Sequence, residues 1–360
     1  MDTSILESID ISKLWDQYHI TDLQEKIDGM FPQFGFSFED MFGRILTGDI
    51  LGALKDGFSG MLRGAADEVG SIRNILLYLL VLGIVSALLS HFTDVFENHQ
   101  IADISFYLVY LLLMAVLLKC FQEAARTAGG AVENIVTFIK VFIPTYYLVV
   151  GAAGGVVTAY AGYQLLLLLI YGVEQVLLAV VMPLIYSYVM LAVINGIWSE
   201  ERLNILLDFL HKGIGVLLKA SLGVITGVSV FQTMITPVID SIKSQGLQKI
   251  VSAIPGIGNV ADGVVEMMVG SAVLIKNSIG IIFMILLLAV CLVPLAKIFL
   301  IAGCLKMGAA FMGIVSDKRI VGCTNKVGEG SFLLFRAAGT AMFLFLVLIA
   351  IAAFTTNRGF

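Results

Sequence analysis

The chain has 360 residues, 59% of them hydrophobic and only 14% charged, with a mean hydropathy of +0.96. Soluble domains carry roughly 25% charged residues, so an ordinary water-soluble domain is excluded. The net charge of −5 is segregated: residues 1–73 hold 6 Lys/Arg and 13 Asp/Glu (net −7), residues 74–360 hold 16 and 14 (net +2), and the acidic leading segment argues against nucleic acid as a partner.

Residues 1–72 form an acidic, amphipathic N-terminal segment of short helices with breaks. Met1 is followed by Asp-Thr-Ser, with neither a basic nor an apolar stretch of a secretory signal ahead of the acidic residues. Phe31 to Phe36 is aromatic and turn-rich. Ser37 then reads as a helix cap, with Asp40 in the reciprocal third position. Met41, Ile45, Leu51, Leu54, Phe58 and Leu62 recur at helical spacing. Because the polar faces are acidic, these helices are expected to pack on a partner or on the rest of the chain rather than on an anionic lipid surface.

From residue 73 onward the chain reads as a multi-pass membrane domain, 73–360. A hydrocarbon core of ~30 Å takes about 20 apolar residues per helical crossing. Uncharged runs cover Asn74–Ser90, Ile104–Leu118, Ala220–Ile239, Asn277–Ala296 and Ala337–Asn357. The longest lie between Lys140 and Glu174 (33 residues) and between Glu174 and Glu200 (25 residues). In chain order the pattern gives a crossing at 72–91, an acidic loop, a second crossing at 104–119, and an amphipathic stretch at 120–138 with Glu123, Arg126 and Glu133 on one side. A third crossing starts near Ile135 and contains Pro144. The stretch Tyr163–Trp198 is 36 residues long, about 54 Å as a helix, so a break, kink or tight return is expected at Gly172 or Pro183. Residues 203–240 give one more crossing. Helix cannot run through Pro255, Gly256 and Gly258, which form a break before a helix capped by Asn259 or Asp262. Further crossings follow near 279–295, 298–315 and 333–355. The expected fold is all-α and polytopic, with about seven to nine membrane segments, some broken or re-entrant. Lys318, Arg319 and Lys326 mark the best cytoplasmic loop. Arg63 and Arg73, ahead of the first crossing, by themselves favour a cytoplasmic N-terminus.

The candidate chemistry is sparse. Glu174 sits deep in apolar sequence, where an ionised carboxylate costs ~2.5 kcal/mol or more. It is either a proton- or ion-linked site, paired with Lys140 or Lys219, or a carboxylate at a helix end or subunit interface. Lys140, Lys219, Lys276, Lys297 and Arg336 stand at run ends, where long basic side chains can snorkel to headgroups. Gly151/Gly155 and Gly223/Gly227 have the spacing that lets helix backbones approach closely in lipid. His91 and His211 lack a second ligand, and Cys120, Cys291, Cys304 and Cys323 show no paired spacing, so neither a metal site, a disulfide framework nor a cofactor is expected. Gly256-x-Gly258-x-x-Ala261 lacks the strand that a dinucleotide fingerprint needs. Nothing in the motifs argues for an enzyme.

The stretch Ile254-Pro-Gly-Ile-Gly-Asn-Val-Ala-Asp262, followed by Ser271-Ala-Val-Leu-Ile-Lys-Asn-Ser-Ile-Gly280, resembles the stage III sporulation protein AE family of endospore-forming Firmicutes. Val181-Met-Pro-Leu-Ile-Tyr186 and the Gly/Ala-rich Val150–Val157 fit the same family, and the resemblance covers most of residues 70–355. It implies a non-enzymatic, oligomeric subunit of the channel or secretion-like complex in the mother-cell membrane around the forespore. The implied partners are the other stage III A proteins, stage II sporulation protein Q, further copies of this chain and the lipid bilayer. That complex sustains forespore development and late forespore gene expression. Members usually begin with a secretory signal, which implies an extracytoplasmic N-terminal segment. Glu174, Lys140, Lys219, Lys276 and Asn277 are then the candidate conduit or coupling positions. The alternatives are an autonomous ion-coupled secondary transporter and a passive membrane scaffold.

Overall fold

A computed structural model describes residues 37–46, 99–152, 171–197, 202–224, 226–227, 258–314 and 316–355, with isolated positions in between. Among the described residues the protein is all helical. Its elements are α1 (Phe38–Leu46), α2 (His99–Ala152), a π-helical segment (Gln175–Val181) leading into α3 (Met182–Asn195), α4 (204–224), α5 (Gly258–Met312) and α6 (Lys318–Thr355). Among the described residues four helical stretches are long and apolar enough to cross a membrane: Phe106–Lys140, Tyr171–Asn195, Asn277–Met312 and Lys318–Ala350. Four is fewer than the sequence suggests, partly because neighbouring crossings fuse. The expected crossings at 104–119 and from Ile135 are parts of one helix of 54 residues, and those at 279–295 and 298–315 parts of one helix of 55. Charges such as Lys119 and Glu123 do not stop a helix, since their side chains leave the backbone ladder intact. Pro144 and Pro294 each forfeit a single ladder bond inside these helices. The expected crossing at 72–91, and most of that beyond 224, lie outside the described residues.

Between Gly172 and Pro183 the helix neither breaks nor returns. It widens over Gln175–Val181, where Met182 N–H reaches back to the Leu177 carbonyl, and then resumes as α3 with Pro183 in its first turn. A proline ring cannot donate and crowds the carbonyl four residues back; one turn of i→i+5 bonding relieves that conflict without ending the helix. The lysines assigned to a loop are also moved: Lys318, Arg319 and Lys326 all lie within α6.

The bundle is built on the antiparallel hairpin of α5 and α6, joined by a short turn, with α2 packed against both and α3 against α6. α2 starts at the end of the bundle where α3 finishes and α6 begins. There the Tyr110 hydroxyl donates to the Val193 carbonyl (2.5 Å), and the Arg319 guanidinium lies 3.6 Å from the Phe106 ring centroid. The core is continuous, from Leu113, Leu117 and Phe121 on α2 through Ile185 and Val189 on α3 to Leu305, Leu334 and Phe345. α1 joins it: Met41, Phe42 and Ile45 are buried and the helix packs on α5. Its start is as expected, with the Asp40 N–H donating to Ser37 Oγ at 3.3 Å.

Candidate functional site

Where α3, α5 and α6 meet, four polar side chains converge within the membrane-length helices. Glu329 on α6 accepts from Lys306 Nζ of α5 (2.9 Å) and from Asn325 Nδ2 (3.2 Å) through Oε1, and from the Tyr188 hydroxyl of α3 (3.0 Å) through Oε2. Asn325 lies one turn before Glu329 on the same face of α6. Tyr188 is delivered by close helix contact. A Cβ added to Gly330 would collide with Val189 Cγ2, so only a glycine at that position lets α6 approach α3 this tightly. The His211 ring of α4 stands edge-on to Tyr188, 5.8 Å between centroids, and its buried Nδ1 has no hydrogen-bond partner among the described residues. A carboxylate that accepts from three donors, one of them an ammonium, is held in one orientation. The side chains of Lys306 and Glu329 are nevertheless 41% and 32% exposed, so the group opens to one side of the bundle.

A second polar knot fastens α4 to α3 and α6. Asn195, buried at the end of α3, accepts the Leu203 N–H at 2.8 Å and donates to Asn204 Oδ1 at 3.0 Å. Lys326 of α6 donates to the same Asn204 oxygen. These bonds satisfy backbone and amide groups that would be costly to leave unpaired in a dry environment.

Of the residues singled out by sequence, Glu174 and Lys140 are brought together. Lys140 Nζ donates to Glu174 Oε2 at 3.0 Å, which makes Lys140 rather than Lys219 the partner. Glu174 stands just before the π-helical segment and Lys140 closes the apolar stretch of α2, so the pair is at the ends of two candidate crossings. Lys219 is exposed on α4, and Asn277 is half-buried where the α5 crossing begins. Lys276 is within α5 and Gly258 is its first residue; Pro255 and Gly256 lie outside the described residues. Gly151 ends up in the last turn of α2, and Gly155 is outside the described residues. Gly223 and Gly227 are exposed, with open space where a Cβ would stand, so no described helix packs on them. Lys297 does not simply reach for headgroups: it bonds Glu123 of α2 at 3.0 Å. The Glu329 group escaped the sequence reading because its members are far apart in the chain. The one local signal was Glu329 itself, a lone carboxylate between Lys326 and the uncharged run from Ala337.

The comparisons with known proteins agree over nearly the whole chain. The profile of a family described as stage III sporulation protein AE matches residues 36–356, which takes in α1 as well as the bundle. Stage III sporulation protein AE of Bacillus subtilis (strain 168) is 21% identical over 348 residues, covering 96% of this chain and 85% of that protein. No solved structure matches.

Proposed function

Because the chain belongs to the stage III sporulation protein AE family, which gives it a role in sporulation, we propose that it acts there as a non-enzymatic membrane subunit of the channel or secretion-like complex joining the mother cell to the forespore. The partners in this reading are the other stage III A proteins, stage II sporulation protein Q and further copies of the chain. The observation that carries it is the family match across residues 36–356. The four membrane-length helices support it. So do polar groups such as Glu329–Lys306, because ionisable residues inside membrane helices normally mark pathways or contacts rather than lipid-facing surface.

The arrangement of the ends supports an extracytoplasmic N-terminal segment. Lys318, Arg319 and Lys326 collect where α6 begins, and basic residues favour the cytoplasmic side. α2 starts at that same end. The apolar run ahead of it, Asn74–Ser90, is long enough for one crossing, which in this reading puts residues 1–72 on the opposite side.

Deleting the gene in its sporulating host is expected to arrest development after engulfment, and wild-type spore yield from the deletion strain would refute the proposal. One observation favours the transporter reading instead, the donor-rich Glu329 site. Solute flux into liposomes holding this protein alone, abolished by Glu329→Gln, would establish that second reading.

A further inference from the structure

Lys119, Arg126, Glu133 and Lys140 are spaced seven residues apart along α2. Two helical turns separate each from the next, so all four lie on one face, over about 32 Å at 1.5 Å per residue. That is the thickness of a hydrocarbon core, ~30 Å. The burial pattern sharpens this. From Lys119 to Thr137 the exposed residues of α2 are Lys119, Gln122, Arg126, Glu133, Asn134 and Thr137, every one polar, while the buried ones between them are apolar or small. Before Lys119 the same helix exposes Tyr107, Leu108, Leu111, Leu112 and Ala115.

The neighbouring helix α5 is different at the same level. Two contacts fix that level: Glu123 bonds Lys297 of α5 at 3.0 Å, and Phe121 meets Tyr186 of α3 with ring centroids 5.8 Å apart. Beside Lys297, α5 exposes Leu292, Phe299 and Leu300, all apolar. Phe299 stacks with Phe332 and Phe335 of α6 at centroid distances of 6.3 and 5.4 Å. At the depth of Glu123, α5 is therefore dressed for hydrocarbon and α2 for water. Charged side chains on a membrane helix face protein interior or water, not lipid. A body lipid-facing on one flank and charged on the other sits at a boundary between the two solvents.

We propose that the Lys119–Lys140 face of α2 lines a water-filled path across the bilayer. This deepens the channel reading and rests on it for what the path carries, though not for the path being wet. Among the described residues this polar flank is open.

The test is thiol labelling of the full-length protein in its native membranes, opened to reagent from both sides. Arg126→Cys and Glu133→Cys report the α2 face; Leu292→Cys and Phe299→Cys report the α5 wall. All four replaced side chains are exposed, and the native cysteines are buried, so the unmodified chain gives the background. A lipid-soluble maleimide labelling all four variants shows that each is folded and reachable. A charged, membrane-impermeant maleimide is then expected to modify Arg126→Cys and Glu133→Cys on the order of tenfold or more faster than Leu292→Cys and Phe299→Cys, because a charged reagent enters hydrocarbon so poorly. Slow reaction at all four positions overturns the proposal, since the α2 face is then covered. Fast reaction at all four also overturns it, since that level is then outside the membrane. If deletion leaves sporulation intact while the labelling contrast holds, the channel reading fails and the wet face stands.

Discussion

Two of the ion pairs, Lys140–Glu174 at 3.0 Å and Lys306–Glu329 at 2.9 Å, are of nearly equal length and differ in the donors around the carboxylate. The first joins the ends of two apolar stretches, and its lysine is half-exposed; among the described residues the carboxylate's hydrogen-bond partner is that lysine. The second lies inside the helix bundle, and its carboxylate also accepts from Tyr188 and Asn325. Distance alone therefore says little about an ion pair. The outer one is a pair of the kind whose Coulomb gain is offset by solvation and side-chain entropy. The inner one is a network in which each donor fixes the others, and removing one member strands the rest.

This contrast can be broken or sharpened in steps. The largest effect belongs to Glu329→Ala, which leaves Lys306, Tyr188 and Asn325 without their acceptor. Full burial of a broken pair costs ~3–5 kcal/mol, and partial exposure here reduces that to about 2–3 kcal/mol. The midpoint of thermal unfolding in detergent should fall accordingly, and an unchanged midpoint would remove the distinction between the two pairs. Gly330→Val comes next, at about 1–3 kcal/mol, because the new side chain must push Val189 and α3 away from α6. It should uncouple Tyr188 from Glu329 while leaving Lys140–Glu174 intact, which crosslinking between cysteines placed on α3 and α6 would read. Tyr188→Phe removes a single donor from the carboxylate and should cost ~1 kcal/mol.

The smallest effect is at the outer pair. Glu174→Gln should cost less than ~1 kcal/mol. Exchanging the two charges, Lys140→Glu with Glu174→Lys, should restore what either single change loses. The same exchange at Lys306 and Glu329 should not, because the Tyr188 and Asn325 donors would then face an ammonium. A double-mutant cycle at each pair measures the difference directly; equal coupling energies would mean that the extra donors contribute nothing.

What was legible in the chain beforehand follows the same division. The cap at Ser37 and the amphipathic face of Met41 and Ile45 depend on residues within one or two turns of each other, and both were visible, whereas Asn259 and Asp262, expected to cap a helix, lie inside α5, and the expected break near Pro183 is a π-helical widening. The pairing of Lys140 with Glu174 was visible as one of two options, because few charges break the surrounding apolar sequence. The expected family and its membrane character were carried by local motif and composition. By contrast, crossings were divided at the charged stretch after Lys119 and near Pro294 and Lys297, and α2 and α5 run through those positions. Gly223 and Gly227 had the right spacing for packing and no described helix to pack on, whereas Gly330, with no such motif, is where two helices close in.

Composition and periodicity by themselves determined that the chain carries stretches long and apolar enough to cross a membrane and that such stretches are helical, because hydrocarbon offers no hydrogen bonds to an open chain. Only the packed bundle decided that Tyr188 would meet Glu329 across 141 positions and Lys326 would meet Asn204 across 122, and which flank of α2 would stay uncovered. Such contacts are set by crossing angles and by the few places where helices can approach closely. Those are properties of pairs of helices, and no single segment carries them.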